Sequence, residues 1–96
     1  MLSSIPQHGE PIEVDGKATK QFHTFMEDLA DLYSLTNLPD ENEIIIIDGK
    51  ASEQLADFLQ DAAAAADIAP PFEGETLVEN GVPTFPFQST LNVLAV

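Results

Sequence analysis

The segment Val14-Asp15-Gly16-Lys17-Ala18-Thr19 returns as Ile47-Asp48-Gly49-Lys50-Ala51-Ser52, at a constant offset of 33 residues (Asp15 to Asp48). The agreement continues downstream, where Gln21 matches Gln54, Phe22 matches Leu55, Phe25 matches Phe58 and Asp28 matches Asp61. A fixed period of this size constrains the fold more than composition does, because each copy must be one supersecondary unit.

The unit reads as strand, tight turn and capped helix. In the first copy Ile12 and Val14 alternate with polar residues, and Asp15-Gly16 is a turn dipeptide because Gly accepts positive φ without a steric penalty. Thr19 is placed to cap a helix by accepting from backbone N–H groups just inside it. Phe22, Phe25, Met26, Leu29, Leu32 and Tyr33 then recur at spacings of three and four, which makes one apolar stripe. Glu27, Asp28 and Asp31 fall mainly on the other side. The spacing predicts a helix from about Thr19 to Leu35 that stops before the loop Thr36–Glu43.

The second copy follows the same plan. Ile44–Ile47 is a β-branched run and predicts a buried strand. Asp48-Gly49 is the turn, Ser52 the cap, and Leu55, Phe58, Leu59, Ala62 and Ala65 or Ala66 the stripe. Ile68 and the Pro70-Pro71 pair end the unit.

A third echo is sparser. Asn80-Gly81 stands 32 residues after Asp48-Gly49, with Pro83 for Ala51, Thr84 for Ser52 and Phe87 for Leu55. Asn-Gly between two apolar flanks predicts a two-residue hairpin. The tail Ser89–Val96 fits either a short helix or a strand, and the echo itself either a third repeat or a coincidence of turn chemistry. The fold expected is a small single α+β domain over 1–96. It has two amphipathic helices, each preceded by a short strand and an Asp-Gly turn. Residues 1–11 form an extended arm, 12–35 and 44–66 the two units, and 75–96 a C-terminal hairpin or strand with its tail.

Charge limits the partners. Seventeen Asp and Glu face three Lys, for a formal net charge of −14 in 96 residues. Phosphate recognition needs clustered Lys or Arg, so direct nucleic-acid binding is not expected. The surface is suited to water, cations or a basic protein patch. With no cysteine, disulfide and thiolate chemistry are excluded. The opening residues lack a basic start followed by an apolar run, and no apolar run approaches membrane-spanning length, so the expectation is a soluble intracellular product, or one that leaves the cell only inside a larger particle, with no membrane partner.

Catalytic and metal constellations are weak. His8 and His23 are the only histidines, and His23 has no second His or Cys four residues away to make a metal pair on a helix. Asp40–Glu43 is acidic like the start of a calcium loop, but isoleucines fill the positions that follow. Ser3, Ser4, Ser34, Ser52 and Ser89 lack nucleophile-elbow glycines. The expectation is a non-enzyme with no catalytic residue, no cofactor, no metal and no small-molecule substrate. Glu27, Asp28, Asp31, Glu53, Asp57, Gln60 and Asp61 offer one rival reading, in which acidic rows imitate DNA phosphates and the chain inhibits a protein by filling its basic cleft. The alternative for the same residues is a surface kept soluble by like charge.

The stretch Pro11–Leu32, with its Asp-Gly turn, small residue, Thr and aromatic-rich helix, resembles a short motif of small structural proteins of tailed bacteriophages. Val78–Leu94 resembles the same motif with Pro-Thr. Such proteins are tail, neck or fibre-attachment components. The resemblance covers about half of the chain. It implies a structural role in the virion, with other virion proteins and copies of the chain itself as partners, and it carries no catalytic residues. On that reading Phe85, Phe87, Leu91, Val93 and Val96 contact neighbouring subunits; the alternative is that they close this domain's own core.

Overall fold

A computed structural model of the chain describes residues 5–6, 9–68 and 75–95. Its elements are β1 (Glu13–Val14), β2 (Lys17–Ala18), α1 (Lys20–Tyr33), β3 (Ile46–Ile47), β4 (Lys50–Ala51), α2 (Glu53–Ala65), β5 (Val78–Glu79), β6 (Val82–Pro83) and α3 (Phe85–Leu94). These are three copies of one unit, an antiparallel hairpin followed by a helix. The α+β architecture expected from the sequence is present, and the third echo is a complete unit. Its hairpin lies around Asn80-Gly81 and its tail is a helix, so the chain has three helices.

Turn chemistry builds each hairpin. Asp15, Asp48 and Asn80 have φ of 54°, 52° and 53°, and the glycines that follow have φ of 84°, 80° and 83°. Two successive left-handed residues make the primed turn that matches strand twist, and Asp, Asn and Gly are the residues that tolerate it.

The turns also join the units. The Gly16 carbonyl accepts from Ile45 N (2.7 Å) and Ile46 N (3.1 Å), and the Gly49 carbonyl from Leu77 N (2.7 Å) and Val78 N (3.0 Å). The Gly81 carbonyl accepts from Ile12 N (2.6 Å) and Glu13 N (3.2 Å), which closes the third unit on the first. The result is a ring of three hairpins with approximate threefold symmetry, in which the carbonyl of each turn glycine is paired with the neighbouring unit. Within each unit the cap residue ties back to the strand start, from Thr19 N to the Ile12 carbonyl (3.0 Å), Ser52 N to Ile45 (2.8 Å) and Thr84 N to Leu77 (2.8 Å).

One core serves all three units. The equivalent residues Ile12, Ile45 and Leu77 are buried, as are Phe22, Leu55 and Phe87, then Met26, Leu59 and Leu91, then Leu29, Ala62 and Leu94. Phe22 and Phe87 meet edge to face at 6.4 Å, the arrangement that ring quadrupoles favour. The Tyr33 hydroxyl donates to the Leu94 carbonyl (2.9 Å) and links the ends of α1 and α3.

Several local expectations shift. Only Ile46–Ile47 of the isoleucine run is strand; Ile45 and Ile46 are buried, and Ile44 and Ile47 at the two ends of the run are exposed. Val14, equivalent to Ile47, is exposed as well. Leu32 is exposed because the core ends at Leu29 and half-buried Tyr33. In α2 burial falls on Ala62 and Ala63, while Ala65 is exposed and Ala66 only half-buried. The N-terminal arm is docked where it is described. Ile5 packs on the core, and the buried Pro6 accepts from Gln88 Nε2 (2.9 Å). His8, Pro70, Pro71 and Val96 lie outside the described residues.

Candidate functional site

The three helices start from the same geometry and present different surfaces. Thr19, Ser52 and Thr84 are N-caps with φ near −66° and ψ near 163°. Thr19 and Ser52 hydroxyls accept from Phe22 N and Leu55 N, both at 3.3 Å. Thr84 makes no such bond; its hydroxyl donates to the Thr76 carbonyl (3.1 Å), and Pro86 removes one of the amide donors that a cap would satisfy.

Facing outward, α1 carries Glu27 and Asp31 exposed, with Asp28 half-buried, and α2 carries Glu53, Asp57, Gln60 and Asp61 exposed. These two helices pack against each other, and the outward side of each is acidic. Asn37 Nδ2 donates to Asp61 Oδ2 (2.8 Å). The outer side of α3 is of another kind. It exposes Phe85, Pro86, Ser89, Asn92 and Val93, and no Asp, Glu, Lys or Arg occurs from residue 80 to residue 96. Phe85 is 75% exposed and Val93 50%. In a chain with 17 acidic residues this is a helix face without a charge.

The five residues expected to contact a partner therefore divide. Phe87 and Leu91 are buried in the chain's own core, Phe85 and Val93 are exposed, and Val96 lies outside the described residues. Helical periodicity explains the division. Phe87 and Leu91 share one face and Phe85, Ser89 and Val93 another.

Open depressions lie elsewhere. One, of about 420 Å³, is lined by Ile44, Ser52, Glu53, Gln54 and Asp57. A second shares Gln54 and Asp57 with it and adds Thr36, Asn37, Leu38, Asp40 and Glu43. A third lies beside His23 with Ala18, Lys20, Glu41 and Asn42. His23 is buried, with Nε2 3.9 Å from Glu27 Oε2 and no partner for Nδ1 among the described residues. Ala56 and Gln88 occupy the positions equivalent to His23, so this ring fills a site of the repeat where an aliphatic or amide side chain also fits. Among the described residues no three His, Cys, Asp or Glu side chains converge as a metal site requires, and no helix is long and apolar enough to cross a membrane.

Comparison with protein-family models, with curated proteins and with solved structures finds no match to this chain. The candidate site is thus the surface of α3, reached from the residues alone. The sequence reading of Phe85–Val96 did not separate the two faces of this helix. The uncharged tract from 80 to 96 is the feature of the sequence that distinguishes the helix.

Proposed function

We propose that the chain is a non-enzymatic structural subunit of a tailed-bacteriophage particle, in its tail, neck or fibre-attachment region, and that it acts through contacts between protein subunits. The observation that carries this reading is the exposed, uncharged face of α3 on a chain of net charge −14. Apolar side chains held outward on a rigid helix are suited to burial against another protein, and a small ring of hairpins gives them a stiff mount. The resemblance of Pro11–Leu32 and Val78–Leu94 to small tail and neck proteins supplies the particle. Its partners on this reading are other virion proteins and copies of itself, after synthesis in the host cytoplasm.

The test is peptide mass spectrometry on density-purified particles from the source, with stoichiometry. The expected result is the chain at a fixed number of copies per particle. Its absence from clean particles, with the chain abundant in the lysate, overturns the reading.

The adjacent acidic faces of α1 and α2 favour a second reading, an inhibitor that occupies a basic cleft as a DNA mimic does. The two readings respond oppositely to salt. Binding through Glu27, Asp31, Glu53, Asp57 and Asp61 weakens steeply as ions screen it, whereas an apolar contact through α3 does not. Replacing those five residues by Gln or Asn removes the first kind of binding and leaves the second.

A further inference from the structure

Exposed Phe85, Ser89 and Val93 follow one another at intervals of four on α3, so they lie along one side of the helix. Phe85 and Val93 are separated by about 12 Å along the axis, with Ser89 midway. This spacing is self-complementary. Two copies of α3 laid antiparallel about a twofold axis at Ser89 bring each Phe85 against the partner's Val93, twice over. The small Ser89 side chains at the centre let the two helices approach, and the antiparallel helix dipoles favour the pair.

Charge selects the same arrangement. Two chains of net charge −14 repel wherever the acidic faces of α1 and α2 oppose each other. The outer face of α3 has no charged side chain to oppose. We infer that this face is a homodimer interface, with a second copy of the chain as its occupant. The inference rests on reading the chain as an assembly subunit, and it names the first contact such a subunit makes.

Salt is the first discriminant. Long-range repulsion between two like-charged copies is screened by ions, so self-association strengthens as ionic strength rises from about 0.05 M to about 0.5 M. Capture of a basic partner by the acidic helices weakens over the same range.

The experiment is sedimentation equilibrium of the purified full-length chain across that salt range, with Phe85→Glu, Val93→Lys, an equimolar mixture of the two variants, and Leu32→Glu as a control. Both target residues are exposed, so the variants keep the helical circular dichroism of the parent. A dimer that tightens with salt is expected, weakened on the order of tenfold or more by either variant alone. Val93→Lys makes the chain less negative and would tighten a dimer governed only by net charge, so weakening by it marks contact at α3. Mixing restores the dimer, because Glu at 85 then faces Lys at 93 at one end while native Phe85 faces Val93 at the other. Leu32→Glu on α1 leaves the dimer intact.

A chain that stays monomeric at every salt overturns the inference, as does a dimer indifferent to both variants or one weakened equally by Leu32→Glu. Loss in both variants without recovery on mixing overturns the antiparallel register. Particle mass spectrometry is independent of all these outcomes. A chain found in particles but monomeric in solution leaves the subunit reading standing and removes the homodimer.

Discussion

Helices α2 and α3 follow equivalent hairpins, start at the same backbone angles and bury equivalent residues, yet their outer surfaces have almost nothing in common. α2 exposes Glu53, Asp57, Gln60 and Asp61; α3 exposes Phe85, Ser89, Asn92 and Val93. The inner faces are held by shared demands. Leu55 and Phe87, Leu59 and Leu91, Ala62 and Leu94 fill the same positions around one core. The outer faces are free of those demands and can diverge. Within this ring the turn and the inward positions specify the fold, while the outward positions of each helix can be assigned a separate task.

Disturbing what the units share costs the fold most. Phe87 is buried and meets Phe22 edge to face. Phe87→Ala removes that ring contact and leaves a cavity between unit three and unit one, at a cost of about 3–5 kcal/mol. For a domain with the usual stability this unfolds much of the population. Urea denaturation followed by circular dichroism measures it, and a loss under about 1 kcal/mol would mean that Phe87 is not part of a common core.

Next in size is the joint between units. At Gly49 a Cβ would lie 2.7 Å from the Val78 carbonyl oxygen, on a backbone with φ of 80°. Gly49→Ala must strain the turn and also push the third unit away from the carbonyl that receives Leu77 N and Val78 N. The expected cost is about 2–4 kcal/mol. Gly9 has a similar φ of 88° but nothing within 4 Å of an added Cβ, so Gly9→Ala carries only the backbone term, about 1 kcal/mol. Equal losses at the two glycines would show that the carbonyl joint contributes nothing beyond the turn.

Much of this was legible in the residues. Asp-Gly and Asn-Gly announce primed turns because few residues accept two successive left-handed conformations, and Thr19 and Ser52 announce helix starts because their hydroxyls reach the third amide beyond them. The closure of the ring was not legible. It depends on Gly16, Gly49 and Gly81 carbonyls accepting from the next unit, and a carbonyl leaves no mark on side-chain pattern. The third helix was obscured for a related reason. Pro83 and Pro86 flank its start, and aromatic and β-branched residues fill it, so local propensity pulls toward strand while tertiary burial of Phe87, Leu91 and Leu94 decides for helix. The exposure of Phe85 could be assigned only once the helix was known, because strand and helix turn position 85 relative to 87 to different sides.

A smaller effect separates the caps. Ser52→Ala removes the hydroxyl that accepts from Leu55 N inside a buried site and costs about 1 kcal/mol, a fall in Tm of roughly 5 °C for a domain of this size. Thr84→Ala loses instead a bond to the Thr76 carbonyl at an exposed position, for about 0.5 kcal/mol. Thermal unfolding of the two variants side by side checks the order. If Thr84→Ala proves the more costly, the third helix depends on its cap in a way that the geometry does not require.

The smallest effect is at Phe85, and concentration decides what is seen. The side chain is 75% exposed, so in dilute protein Phe85→Ser changes unfolding free energy by no more than about 0.5 kcal/mol. A partner that binds only the folded chain adds stability by mass action, and for a self-associating chain that increment grows with its own concentration. The parent chain should therefore show a Tm that climbs with protein concentration, more at high salt than at low, while Phe85→Ser stays flat under the same conditions. Parallel slopes would mean that α3 differs from α1 and α2 in composition but not in task. A slope in the parent alone makes the uncharged face the part of the ring that is completed by another molecule.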